Sequence, residues 1–462
     1  MEVTPASSSA NPSANPSANP SADAPADASA DATADLDADI TLAPWYDALL
    51  RRAGLDPADV MRIESMRPGL GGGRLWRLWL SAPIDRADTP PPLPLHGDTP
   101  SNLSASLELT TSTAPRPAHW SGRRIVKGIA PLDGWLSVAT ADARIREVTL
   151  WSSGMLADLP AAIETGVVAW LDGKGTGAAS PGGQTGDTSS ALLMRDETAR
   201  LWRRPLRTPP GRLPVPIVTL LDDLARLHAR FWNDPRLDDD HATALGLAPL
   251  HATLLLAAPA TIAERLALGD PNPYLPLARE GWAAFFALAD PADAATLQQV
   301  FAEPAPTVAT IAALPRTLIH GDVWGPNLGR LPPSHASPRR GSATLLLDWA
   351  LAAGAPATFD PLWLCGVWQT LAPHRILGAY RARLTRHLAA RGVALPAPTW
   401  GALADAGYLR TALTCGEAFG RVAREAPVGA ARRQAERRAR WWAARGARAA
   451  RRLQDSIIHT AF

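Results

Sequence analysis

The chain has 462 residues, with 46 Lys and Arg against 44 Asp and Glu, so its formal charge is only +2 at pH 7. That balance supplies no global field that would point to nucleic acid or a membrane surface. Two distant cysteines, Cys365 and Cys415, speak against a disulfide framework or a cysteine-built zinc site. The N-terminus has neither the basic start nor the apolar core of a signal peptide, and no apolar run reaches membrane-spanning length. The expectation is a reduced, soluble, cytoplasmic protein of about two to three domain-sized units with no membrane partner.

Residues 1–40 repeat Asn-Pro-Ser-Ala and then Asp-Ala, with too little apolar surface to offset chain ordering, and are predicted to be a disordered low-complexity arm. A helical pattern runs from Pro44 to Ala53. Gly69 to Gly73 then leads into the Trp/Leu-rich stretch Arg74–Leu80, which reads as strand–turn–strand. Residues 82–120, rich in Pro, Ser and Thr, read as an insertion with one possible strand near Leu107. A strand is expected at Arg124–Ile129, a helix from about Ala143 to Leu156, and strands at Val167–Leu171 and Ala191–Met194 around a second insertion at 174–189. Beyond Pro214 the periodicity is helical, interrupted by strand-like Thr317–His320 and Ala343–Leu347. Strands first and helices afterwards predict an α+β protein of two lobes, residues 41–196 and 197–462, rather than alternating βαβ units.

The sharpest chemical signal is His320-Gly-Asp-Val-Trp-Gly-Pro-Asn327. Its H-x-D-x-x-x-x-N spacing is that of a phosphoryl-transfer catalytic loop, in which the carboxylate (Asp322) accepts a hydroxyl proton and the amide (Asn327) holds a metal ion. A second copy, His96-Gly-Asp98, has Asn102 one residue short of that spacing and lies in a Pro-rich stretch, so it reads as a plain loop. Downstream, Leu345-Leu-Leu-Asp-Trp349 is an apolar strand delivering Asp348 at its end, either as a second metal ligand or as a turn-capping carboxylate. A hairpin between Leu328–Arg330 and Ala343–Leu347 would return Asp348 towards Asn327.

Lys127 is one of only two lysines and sits on a predicted strand, while Glu147 follows on a predicted helix. Together they suit the Lys–Glu pair that positions nucleotide phosphates, or else an edge-strand lysine and an ordinary helix-surface glutamate. The Gly69–Gly73 loop, with Gly71 and Gly72 at its centre, reads equally as a phosphate cradle or a hairpin turn. It is no P-loop, and neither is Gly173-Lys174-Gly175, because Ser or Thr does not follow the Gly-Lys pair.

Taken together, these residues resemble the aminoglycoside phosphotransferase and choline kinase family, over about residues 60–425 and most specifically between Thr317 and Trp368. The resemblance implies a bilobal protein-kinase-like fold with a strand-rich N-lobe and a helical C-lobe. It implies ATP or another nucleoside triphosphate with Mg2+ as cofactors and a small-molecule hydroxyl as acceptor. It makes Asp322 the catalytic carboxylate and Asn327 and Asp348 the magnesium ligands. Lys127 becomes the phosphate-binding residue with Glu147 as its partner, and Leu192–Met194 the hinge that meets the adenine through backbone groups. It also makes Asp360 a brace for the catalytic loop and His228 a packed residue. This sequence departs from the family pattern with Ala350 where many relatives carry an acid and Trp324 where others carry His, which bears on the acceptor more than on the donor. Trp324, Trp349, Trp363 and Trp368 read as core or as an aromatic wall beside the site. The Arg432–Arg452 stretch reads as a terminal helix packing through Trp441, Trp442 and Leu453 rather than as a nucleic-acid contact. Two function classes follow: a small-molecule kinase, and a catalytically silent nucleotide- or small-molecule-binding module on the same fold.

Overall fold

The computed structural model describes residues 44–66, 74–80, 123–129, 134–140, 142, 145–171, 190–202, 213–332 and 343–460. The predicted arm 1–40, the loop holding Gly71 and Gly72, and the insertions at 82–120 and 174–189 lie outside the described residues. In the first lobe the chain runs α1 (Pro44–Arg52), β1 (Val60–Met66), β2 (Arg74–Leu80), β3 (Arg123–Ile129), α2 (Gly134–Ala139), α3 (Arg146–Ser152), β4 (Ile163–Glu164), β5 (Val167–Leu171) and β6 (Ser190–Arg195). One antiparallel sheet holds the order β1-β2-β3-β6-β5.

Period-two alternation assigns the two faces of that sheet. Trp76, Leu78, Leu80, Val126, Ala191 and Leu193 pack under α1 against Leu49 and Leu50. On the opposite face, Leu192 and Trp170 pack against Ile145 and Val148 at the start of α3, while Ile125, Lys127 and Met194 border an open cleft. The helix expected over 143–156 is shorter, ending at Ser152, because Gly154 takes a left-handed φ of 77° and a 3-10 turn follows at Met155–Asp158.

The second lobe is helical: α4 (Val215–Arg230), α5 (Asp239–Ala244), α6 (Leu250–Leu255), α7 (Pro259–Ala267), α8 (Tyr274–Leu288), α9 (Pro291–Ala302) and α10 (Pro304–Ala312). Four short strands follow, β7 (Thr317–Ile319), β8 (Leu328–Leu331), β9 (Ala343–Leu346) and β10 (Ala353–Ala355). The chain closes with α11 (Phe359–Val367), α12 (Pro373–Ala389), α13 (Ala397–Glu425) and α14 (Ala430–Thr460). Helix α4 buries Ile217, Leu220, Leu221, Leu224, Leu227 and His228, the i, i+3, i+4 stripe of an amphipathic helix. Strands β8 and β9 form the expected antiparallel hairpin, and β4 from the first lobe pairs parallel with β9. Strand β10, an Ala-Gly-Ala segment that carries no strand signal, pairs with β7. Among the described residues no helix is long and apolar enough to cross a membrane.

Helices α8, α13 and α14 make the densest part of this lobe. Trp442 and Leu453 of α14 are buried and Trp442 stacks on Phe419, whereas Trp441 stays 42 % exposed instead of packing inward. Where α8 crosses α13 the backbones touch: a Cβ on Gly420 would lie 2.0 Å from the Gly281 carbonyl oxygen. Only glycine permits that approach. Gly420→Ala is therefore expected to cost at least about 2 kcal/mol of stability through forced separation of the two helices. Urea denaturation checks this, and an unchanged midpoint would contradict the close crossing.

Candidate active site

The site is built where β7 ends. Ile319 hands the chain to His320 and then to Gly321, whose φ of 83° and tight surroundings demand glycine, since a Cβ there would meet the Leu351 carbonyl oxygen at 2.2 Å. The backbone amides of His320 and Gly321 each donate to the buried carboxylate of Asp360, at 2.9 Å. Asp360 also accepts from His228 Nε2 at 3.1 Å. With that proton on Nε2, Nδ1 of His228 is left to accept from the Tyr380 hydroxyl. Burial would raise the Asp360 pKa, but the hydrogen bonds from His228 and from the amide of His320 hold it below the ordinary carboxylate range. Asp360 thus braces the loop, and His228 lies inside the packed core with no access to solvent.

His320 ties the loop to the hairpin. Its Nε2 donates to the Leu347 carbonyl at 2.9 Å, its Nδ1 accepts the Asp322 amide at 3.2 Å, and its ring packs edge-on against Trp349 at 4.7 Å. Burial lowers its pKa, in keeping with a neutral ring serving as donor and acceptor. The loop then makes a 3-10 turn over Gly325–Asn327, and the Asn327 carbonyl accepts from the Leu347 amide at 2.9 Å. This contact places Asp348 beside the loop, in a left-handed conformation (φ 63°) uncommon for a residue with a side chain.

Five sequence-predicted residues meet in this place. Trp363 Nε1 donates to one carboxylate oxygen of Asp322 at 3.1 Å, and Asn327 Nδ2 to the other at 2.9 Å. Burial, with the charge of Asp348 adding to it, pushes Asp322 up to about 7. The Lys127 ammonium reaches across from β3 to Asp348 at 3.0 Å and also contacts Glu147, whose second oxygen accepts the Trp349 amide at 3.1 Å. Burial would lower the Lys127 pKa, yet Asp348 and Glu147 hold it above the ordinary range. Burial works against Asp348 too, but Lys127 keeps its pKa low. For Glu147 burial wins: it pushes the carboxyl up, Lys127 pulls it back, and Asp348 adds to the rise.

Of these, Lys127, Glu147, Asn327 and Asp348 border a cleft of about 230 Å³ between the sheet and the β8–β9 hairpin, with Ile125, Met194 and Leu347 as apolar walls. Met194 itself lies within β6 and has register partners on both sides, Ile125 and Val167, so its backbone belongs to the sheet and its side chain faces the cleft. The segment after it contributes Glu197, Thr198 and Leu201 to the same wall. Of the tryptophans, Trp349 and Trp368 are core residues, the latter stacked on Trp202, and Trp363 is the one whose ring nitrogen donates to the Asp322 carboxylate. Sequence reasoning missed Arg410, which is 1 % exposed, donates to the Gly321 carbonyl at 2.9 Å and lies 4.8 Å from the Trp363 ring. Its one advance signal was being an arginine inside an otherwise apolar helical stretch.

The brace predicts a pH effect. Because the folded pKa of Asp360 is depressed, its contribution to stability is full above the ordinary carboxylate pKa and is lost as pH falls through the folded value. Asp360→Asn, which keeps one acceptor and loses the other, is expected to cost about 2 kcal/mol at pH 7. That gap should narrow on acidification towards pH 3, as paired urea titrations would register.

No protein-family model matches the chain, and no curated protein matches it. Solved structures to which it is similar include a choline kinase from Cryptosporidium parvum Iowa II, at 9 % identity over 91 % of this chain and 95 % of that one, with a TM-score of 0.41. An ethanolamine kinase from Plasmodium vivax aligns at 10 % identity over 86 % of this chain and 83 % of that one, TM-score 0.37. An aminoglycoside phosphotransferase from Alicyclobacillus acidocaldarius aligns at 14 % identity over 89 % of this chain and 96 % of that one, TM-score 0.33.

Proposed function

We propose that this chain is a small-molecule kinase that transfers the γ-phosphoryl group of a nucleoside triphosphate to a hydroxyl group. The observation that carries the reading is the meeting of Lys127 from the sheet with Asp348 from the hairpin at 3.0 Å, beside the Asp322–Asn327 pair of the loop. A cation on one lobe and an acidic end on the other bracket the cleft, which is the arrangement that phosphoryl transfer requires.

In this reading Asp322 accepts the acceptor's hydroxyl proton while that oxygen bonds to the γ-phosphorus. The bond from the γ-phosphorus to the β–γ bridging oxygen breaks, and the nucleoside diphosphate leaves. Trp363 and Asn327 each engage one Asp322 oxygen and so fix the plane of the carboxylate. Lys127, held by Glu147, meets the phosphates of the donor, and the apolar cleft walls take its base. Asn327 and Asp348 fit a hard divalent cation. Their donors are oxygens, and the Asp348 side chain is 40 % exposed. They would hold the magnesium ion that accompanies the nucleotide and supplies neutralisation of phosphate charge.

Magnesium-dependent transfer from labelled ATP to a panel of amino alcohols, sugars and hydroxylated antibiotics tests the proposal. Asp322→Asn is expected to lower the transfer rate by ~10²–10⁴-fold while leaving nucleotide affinity close to that of the unaltered protein. Lys127→Met should instead weaken nucleotide binding. A protein that binds magnesium nucleotide but transfers nothing, with or without Asp322, would be the silent binding module.

A further inference from the structure

Arg146, immediately before Glu147, is 1 % exposed and takes no part in the reaction outlined above. Its guanidinium is spent almost wholly on neutral acceptors. Nε donates to the Gly246 carbonyl at 2.6 Å, and Nη2 to the Thr140 carbonyl at 3.1 Å. Nη1 donates to the Thr140 hydroxyl at 3.3 Å and to the Ala350 carbonyl. Asp142 makes a long ion pair with Nη1 at 3.8 Å and accepts the Arg146 backbone amide at 2.8 Å. A buried cation held by one long ion pair and otherwise by neutral acceptors is costly unless those hydrogen bonds are well made.

The geometry converges on a three-residue segment. Glu147 takes the amide of Trp349, and Arg146 takes the carbonyl of Ala350, so neighbouring side chains of α3 grip the backbone just past Asp348. Two of the three non-glycine residues with positive φ among the described residues, Ile145 and Asp348, flank this grip, one before α3 and one at the gripped segment. Such conformations persist where surrounding contacts over-determine them.

We propose that Arg146 is a positioning residue that holds Asp348 in its left-handed geometry and so pre-organises the cation site. The proposal rests on Asp348 being a magnesium ligand, as read above. A planar fork is needed to reach Gly246, Thr140 and Ala350 together, which a lysine ammonium does not offer.

The test is the magnesium enhancement of ADP binding, the ratio of Kd without magnesium to Kd with it, measured by calorimetry on the full chain. In Arg146→Lys the magnesium-free Kd should stay within about two-fold of the unaltered protein, while the enhancement falls by about 10–100-fold, the range for losing a group that orients a metal ligand. A merely structural role would shift both Kd values together. An unchanged enhancement in a folded Arg146→Lys protein overturns the proposal and leaves the kinase reading standing. Absence of magnesium-dependent ADP binding in the unaltered protein overturns both. Should Arg146→Lys not fold, Thr140→Val removes the hydroxyl that helps aim the guanidinium. It is expected to lower the enhancement about three-fold, and no change there is equally decisive against the proposal.

Discussion

The Lys127 ammonium sits between two carboxylates that come from different parts of the chain, Glu147 on α3 and Asp348 at the end of the hairpin. An ammonium so placed is favourable only while both partners stay close, because the group is largely withdrawn from water. The rest of the architecture serves that condition. The sheet aims Lys127 at the cleft through its two-residue alternation, and α3 packs on the same face through Ile145 and Val148. On the other lobe, Asp360 and His320 fix the loop, and the hairpin presents Asp348.

Charge and burial explain why the acidic end of the cleft is so heavily braced. Asp322 and Asp348 repel each other, and burial makes the repulsion stronger. Each is answered differently: Asp348 by a full positive charge, Asp322 by two N–H donors and the more distant Arg410. Two neighbouring carboxylates with pKa values driven apart, one low and one near neutrality, have distinct chemical roles open to them.

How much of this was legible in the sequence depended on whether the signal was local. Asp322 and Asn327 announce themselves by a fixed spacing within eight residues, and the hairpin by two short apolar runs about a polar loop. Lys127 stood out by the rarity of lysine in an arginine-rich chain. Asp360 and His228 entered only through a family resemblance, because their partners lie 40 and 132 positions away. Arg146 gave no signal, and Arg410 only that of an arginine in an apolar helical stretch. The acceptors that tie them to the site are backbone carbonyls 204 and 89 residues distant, and a carbonyl leaves no mark in the side-chain sequence. Strands β4 and β10, of two and three residues, are too short to show any period.

The pairing of β4 with β9 has a mechanical meaning. Covalently, the lobes are joined after β6, but Ile163 and Glu164 also register against Thr344 and Leu345, so a second seam of backbone lies beside the first. Two attachment lines leave a body free to swing about the line through both and resist twisting across it. Asp348 follows the end of β9 by two residues, so the seam also tethers the acidic end of the hairpin to the lobe that carries Lys127.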